Sequence, residues 1–257
     1  MSDPLRDLRA ILLTAAALAL GAAVSLGLAR FSYALLLPPM RADLGWSYFL
    51  GGAMNTANAA GYLVGALATP RALKRVSART LLVGGCAATS LLLGAHALVL
   101  NDNALLALRL VTGIASAAVF VAGGLMAARL AVGHAKAGLV LGVYYGGTGA
   151  GIVASALLVP PLTARAAAHA WQGAWWALAA AALAATATVA WATRQDGRAS
   201  ASHAGSGLPF RWRPLGFGLA GYFMFGRPDG DDHEKRAGNM LDRPDLTDGR
   251  RPSRADH

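Results

Sequence analysis

Residues 10–37 read AILLTAAALALGAAVSLGLARFSYALLL, an apolar run with a single charge, Arg30. Crossing the hydrocarbon core of a bilayer takes about 20 consecutive apolar residues, so this run is long enough to span it. It is too long to be the apolar core of a signal peptide. Five further apolar runs follow, at 50–69, 80–100, 104–127, 138–163 and 170–193. The sequence therefore predicts an all-α membrane protein with six spans. The pair Pro38-Pro39 is expected to end the first helix, because proline cannot continue the hydrogen-bond ladder.

The composition agrees with a membrane protein. Hydrophobic residues make up 55% of the chain and charged residues only 14%, against about a quarter charged in soluble domains. The net charge of +10 does not indicate nucleic acid, since the basic residues lie mostly in alternate loops, such as 70–79 and 128–137. Positive loops lie on the cytoplasmic side, so the N-terminus is expected in the cytoplasm. The membrane is expected to be a bacterial inner membrane.

The character of the chain changes after the sixth run. Segment 214–226 is apolar but, at about 13 residues, too short to span. The last segment is rich in Asp, Arg, Pro and Gly and is expected to be disordered. The expected organisation is a cytoplasmic N-terminus (1–9), six helices (10–193), a cytoplasmic linker (194–213), an incomplete seventh helix (214–226) and a polar tail (227–257).

Polar side chains inside the apolar runs are the candidate site residues, because such side chains usually face a cavity or a partner helix. For Arg30 and for Arg109, reaching outward to lipid headgroups is the competing interpretation. For the amides of the second run, helix packing is equally well supported. The candidates for a substrate cavity are Arg30, Tyr33, Asn55, Asn58, Tyr62, Arg109, Thr112, Tyr144 and Thr148.

Glycines recur in the second, fourth and fifth runs. Glycine is costly inside a helix, so its accumulation indicates close helix contact or a flexing element. Gly61 and Gly65 form a GxxxG pair, a spacing typical of packed membrane helices. The candidates for packing or gating are Gly61, Gly65, Gly113, Gly142, Gly146, Gly147 and Gly151.

Enzyme, metal and cofactor chemistry find no support in this sequence. The single cysteine, Cys86, lies in an apolar run and cannot form a disulfide framework. An intramembrane serine hydrolase needs Gly-x-Ser-Gly, but Ser116 is followed by Ala117. No metal and no cofactor is expected. Because the spans hold two arginines and no carboxylate, an anionic solute is favoured over a cation.

Several stretches resemble the major facilitator superfamily of transporters. Residues 105–113, LLALRLVTG, resemble its Arg-x-x-Gln-Gly signature, with Thr112 in place of Gln. Residues 142–151, GVYYGGTGAG, resemble Gly-x-x-x-Gly-Pro-x-x-Gly-Gly, with Gly147 in place of Pro. The loop 74–79, KRVSAR, keeps the basic character of Asp-Arg-x-Gly-x-Arg but loses its acid and glycine.

A closer resemblance is to the YbfB/YjiJ-type branch of that superfamily. It rests on four stretches in order: GLARFSYALLLPPM (27–40), DLGWS (43–47), NTANAAGY (55–62) and FVAGG (120–124). The resemblance covers about residues 8–226.

The resemblance implies two six-helix halves, each built from 3+3 inverted repeats. The halves rock about a site at the bilayer midplane and expose it to each side of the membrane in turn. This chain would supply the N-terminal half, with Arg30 and Arg109 in its cavity and a second half missing after a truncation or frameshift near Gly226. The expected function is transport of a small solute, complete only with a second half or in a homodimer. The alternatives are a non-functional membrane fragment and, least supported, a six-helix hydrolase. The expected partners are the lipid bilayer and the solute, with no nucleic acid.

Overall fold

The computed structural model describes residues 4–164 and 168–194. Helices account for nearly all of them, and this part of the chain contains no strand. The helices are α1 (Pro4–Ala22), the π-helix π1 (Ala23–Phe31), α2 (Ser32–Leu44), α3 (Tyr48–Ala72), α4 (Ala78–His96), α5 (Asp102–Ala131), α6 (Ala137–Thr163) and α7 (Ala170–Ala192). The first three are continuous and form one long helix.

Short polar side chains begin three of the helices. Ser47, Ser77 and Asn101 have extended backbones and accept hydrogen bonds from backbone N–H groups three residues later, at 3.0–3.1 Å. These bonds satisfy donors that a helix start otherwise leaves free. In the polar segment 101–103, Asn101 is therefore the cap of α5, which begins at Asp102.

The prediction that Pro38-Pro39 ends the first helix is wrong. Helix α2 continues through both prolines to Leu44 and ends at Gly45, whose φ of +66° is the left-handed conformation that glycine tolerates. Buried Leu36 and Met40 flank the pair, and this packing outweighs the lost backbone donors. Such compensation is common in membrane helices.

The π-helix interrupts the first span over nine residues, Ala23–Phe31. Its wider i→i+5 turn is rare, and π-turns often lie at functional sites. The chain approaches α6 very closely here: a Cβ on Gly27 would collide with the backbone of Gly151. The hydroxyl of Ser155 donates to the Gly27 carbonyl at 3.1 Å, and that of Ser25 donates to the Ser116 carbonyl of α5 at 2.7 Å.

Among the described residues, five helical segments are long and apolar enough to cross a membrane: Leu8–Leu44, α4, α5, α6 and α7. Helix α3 has sufficient length at 25 residues but is not among them, and its asparagines and glycines lower its apolar content. The fold is thus an all-α membrane bundle of six membrane-length segments, of which α3 is the most polar.

Packing within the bundle joins specific pairs of helices. Helix α3 lies against α5, α1 and π1 lie against α6, and α4 lies between α5 and α7. The core at the centre contains Leu18, Leu82, Trp171, Trp175 and Leu178. Because short loops join antiparallel neighbours, the loops after α2, α4 and α6 share one end of the bundle.

Polar contacts tie the helices at both ends. At the end formed by those loops, Asp43 accepts hydrogen bonds from Trp171 Nε1 at 2.6 Å and pairs with His169 Nδ1 at 2.5 Å, while Trp46 Nε1 donates to Asp102 at 2.7 Å. At the other end, Arg79 donates to the carbonyls of Thr193 and Ala190 at the end of α7.

The remaining predictions about domain organisation fall on the rest of the chain. The incomplete seventh helix (214–226), the polar tail (227–257) and nearly all of the linker (194–213) lie outside the described residues.

Candidate functional site

One arginine is buried between the helices of the bundle, about two turns from the start of α5. Arg109 of α5 is 1% exposed. Its Nη1 donates to the Ala29 carbonyl at 3.1 Å, and its guanidinium carbon lies 4.4 Å from the centre of the Tyr33 ring. Its Nε and Nη2 have no hydrogen-bond partner. The side chain is therefore held by one carbonyl and a cation–π contact, and two of its nitrogens are buried without a partner.

The second arginine lies on the adjoining turn of the first span. Arg30 follows Ala29, the acceptor of Arg109, and its guanidinium carbon lies 5.4 Å from the centre of the Tyr62 ring of α3. It is half-buried, unlike Arg109. Tyr33 is buried and donates its hydroxyl to the Gly51 carbonyl at 3.0 Å. Two guanidinium groups and two tyrosine rings thus form one cluster between the first span, α3 and α5.

At α-helical spacing, Gly27, Arg30 and Tyr33 would share one face of the first span, but the structure separates them. Gly27 faces α6, whereas Arg30 lies over Tyr62 of α3 and Tyr33 reaches Gly51 and Arg109. The span is not α-helical between Ala23 and Phe31. The wider turn of π1 rotates the side chains that precede Arg30 away from those that follow it.

The two asparagines of α3 lie in different environments. Asn58 is 1% exposed, and its Nδ2 donates to the Arg109 carbonyl at 3.0 Å. Asn58 therefore ties α3 to α5 beside the cluster. Asn55 lies one turn away and is exposed at the surface of the bundle, where a solute or another bundle could reach it.

The remaining polar candidates lie on α5 and α6. Thr112 is buried and donates to the Leu108 carbonyl of its own helix at 2.6 Å, so its hydroxyl is already satisfied. Tyr144 is buried and donates to the Phe120 carbonyl at 2.8 Å, which joins α6 to α5. Thr148 is half-buried on α6. Thr112 and Tyr144 are thus engaged within the bundle.

The candidate glycines divide into two groups by their surroundings. A Cβ on Gly61, Gly65 or Gly113 would collide with backbone across the α3–α5 contact, and one on Gly147 or Gly151 would collide with the backbone of the first span. By contrast, Gly142 and Gly146 have nothing within 4 Å of a Cβ. The first five lie at helix crossings, whereas Gly142 and Gly146 face outward, and their role in gating stays a prediction.

Acidic side chains are absent from the middle of the described helices. Asp7, Asp43 and Asp102 lie within four residues of a helix end. In the part of the chain that the structure describes, no three His, Cys, Asp or Glu side chains come together as metal ligands. The cluster around Arg30 and Arg109 is therefore positively charged, with no internal counter-charge from these helices.

Sequence reasoning missed two members of this region. His96, at the end of α4, is fully buried and stacks on Trp175 of α7, with ring centres 4.5 Å apart. From the sequence, His96 lies near the end of its apolar run and Trp175 near the start of another, so neither is marked as buried. A titratable ring inside an apolar run was the available signal, but its burial depends on α7.

The fold and this site define the class: a multi-pass membrane protein built from a helical bundle that holds two arginines within its apolar segments. Comparison with protein families agrees and is more specific. The family model described as "Uncharacterised MFS-type transporter YbfB" matches residues 22–227, and the chain belongs to this family of the major facilitator superfamily. No curated protein matches the chain. The resemblance inferred from the sequence is confirmed, and the protein is a membrane transporter.

Proposed function

We propose that this transporter carries a small anionic, carboxylate-bearing solute and that Arg30 is its contact with the anion. The observation that carries the proposal is the pair of arginines, Arg30 and Arg109, in helices whose middles hold no acidic side chain. A guanidinium in a membrane interior is costly without a counter-charge, and a transported anion supplies one. The planar fork of arginine also matches a carboxylate.

Exposure assigns the two arginines different roles. Arg30 is half-buried and rests against Tyr62, so a solute reaches it without rearrangement of the bundle. Arg109 is 1% exposed and sets the positive potential behind Arg30. The exposed amide of Asn55 lies on the same helix as Tyr62 and adds a hydrogen-bonding group for an oxygen of the solute.

Movement of the solute is proposed to follow alternating access. In this mechanism two six-helix bundles rock about a shared midplane site. The described helices act as one such bundle, held rigid by the glycine crossings of α3 on α5 and of α6 on the first span. A second bundle of the same kind completes the pathway.

The proposed setting is a bacterial inner membrane with the N-terminus in the cytoplasm. Exposed Lys74 and Arg75 precede α4, and Lys136 precedes α6, at the end of the bundle opposite Asp43 and Asp102. Basic residues are retained on the cytoplasmic side of such membranes.

Ligand-dependent stability in detergent tests the substrate class without requiring turnover. A ligand present at about 100 times its Kd stabilises the folded state by about 2.7 kcal/mol. A panel of carboxylates is compared with amines of the same carbon skeleton. We expect carboxylates alone to raise the melting temperature, Arg30→Gln to abolish the shift and Arg30→Lys to retain part of it.

Arg129→Gln is the matched control, because Arg129 is exposed in the last turn of α5. It removes one positive charge and leaves the cluster intact, so the shift should persist. Stabilisation by amines, or a carboxylate shift that survives Arg30→Gln, would refute the proposal. Uptake of the stabilising carboxylate into proteoliposomes then tests transport.

A further inference from the structure

Unsatisfied polar atoms are concentrated around three buried side chains. Within residues 4–164 and 168–194, five buried side-chain atoms lack a hydrogen-bond partner, and four of them are Arg109 Nε, Arg109 Nη2, His96 Nε2 and Trp175 Nε1. All three side chains are at most 1% exposed. Because burying a polar group without a partner is unfavourable, each such group calls for an explanation.

The hydrogen bond on the other ring nitrogen determines the chemistry of His96. Its Nδ1 lies 2.7 Å from the Leu92 carbonyl oxygen, which can only accept, so Nδ1 carries a hydrogen. In the neutral ring Nε2 then presents a free lone pair, and on protonation it becomes a second donor. The free atom of His96 is therefore the one that would take up a proton.

The charged groups around His96 are few. Arg109 is within electrostatic range of the ring. Helix α7 has no ionisable side chain, π1 carries only Arg30, and the other charged residues of α5 in the described structure lie at its ends, Asp102 and Arg129. A second positive charge on His96, within the field of Arg109, is thus unfavourable until an anion offsets that field.

We propose that His96 is the proton-binding group of this transporter, and that a carboxylate bound at Arg30 promotes its protonation. The anion offsets the positive charge of the cluster formed by Arg30 and Arg109, so proton and anion bind together. His96 thereby takes the part that intramembrane carboxylates play in other proton-driven carriers. The coupling rests on the proposed anion specificity, whereas the proton site itself does not.

The stacked indole provides a direct readout. A protonated imidazole quenches the fluorescence of an indole in contact with it, and Trp175 stacks on His96. In nanodiscs, acidification should quench a component of the emission that disappears in both His96→Gln and Trp175→Phe. His169→Gln is the matched control, because the ring centre of His169 lies 6.2 Å from that of Trp171, in the separate contact with Asp43. The quenching assigned to His96 should persist in this variant.

Sodium formate, the smallest carboxylate, tests the coupling. It should move the quenching midpoint to higher pH, since the bound anion favours the protonated ring. The shift should be lost in Arg30→Gln and absent with sodium chloride at equal ionic strength. An equal shift with chloride would overturn a carboxylate site, and no shift with formate would overturn the coupling.

Quenching that persists in His96→Gln but vanishes in His169→Gln would overturn the proton site. If His96→Gln does not yield a monodisperse protein, the ring can be followed in the wild-type chain by 15N-histidine NMR. A His96 ring that does not titrate while the protein remains folded overturns the proposal. If carboxylates fail to stabilise the wild-type protein, the proposed anion specificity is wrong, but the measurement of His96 protonation remains valid. The two failures are therefore distinguishable.

Discussion

The contact between α3 and α5 gives the sharpest prediction about stability. A Cβ placed on Gly113 would lie 2.8 Å from Tyr62 N and closer still to the Asn58 carbonyl oxygen. Ordinary contacts of a Cβ begin near 3.4 Å. Alanine at this position must therefore move the two helices apart by at least about 0.6 Å.

That displacement is enough to break a buried hydrogen bond. The Asn58 Nδ2 to Arg109 oxygen distance is 3.0 Å, and adding the displacement brings it to about 3.6 Å, beyond hydrogen-bond length. Interhelical hydrogen bonds in membranes contribute about 0.6–1.7 kcal/mol. Overpacking adds about 1–3 kcal/mol. We expect Gly113→Ala to lower the free energy of unfolding by about 2–4 kcal/mol.

Gly146→Ala is the matched control, because nothing lies within 4 Å of its Cβ position. It should be neutral or stabilising by up to about 1 kcal/mol, since alanine favours the helix. Both variants are compared by reversible unfolding in mixed detergent micelles. If Gly113→Ala unfolds at the same detergent ratio as Gly146→Ala, the close helix contact is refuted.

One further pair of variants compares a buried with an exposed asparagine of α3, and another pair tests the orientation of the protein in the membrane. Asn58→Leu should lower the free energy of unfolding by about 0.6–1.7 kcal/mol in the same assay, because a buried interhelical hydrogen bond is lost. Asn55 is exposed, so Asn55→Leu should change it by less than about 0.5 kcal/mol. Equal effects of the two variants would contradict the different environments of the two asparagines. In a Cys86→Ala background, Asn103→Cys should react with an impermeant maleimide in intact cells and Lys74→Cys only after permeabilisation. Labelling of Lys74→Cys in intact cells would reverse the proposed topology.

Much of the fold could be predicted from local patterns in the sequence. The apolar runs predicted all six membrane-length segments to within a few residues at most ends, because a bilayer demands continuous helical apolar length. The predicted helix end at Pro38-Pro39 was wrong for a tertiary reason: Leu36 and Met40, on either side of the prolines, are buried in the bundle. The lost donor is a local effect, whereas the packing that compensates for it involves other helices.

The candidate site was less accessible to sequence reasoning. Periodicity marked Arg30 and Arg109 as unusual, but it could not distinguish a half-buried arginine from one that is 1% exposed. That difference arises from the neighbours that cover each side chain. The same holds for His96, whose burial is completed by Trp175 from a helix about 80 residues away.

By itself, the sequence determined a membrane protein of six helical segments, its transporter family and the two arginines that stand out in its apolar runs. Tertiary structure alone decided which atoms meet: the π-turn that separates the face of Gly27 from that of Arg30, and the glycine crossings that bring α3 onto α5. The physical reason is range. Length and periodicity act along the chain, whereas burial, stacking and unsatisfied hydrogen bonds depend on helices that meet only in the folded bundle.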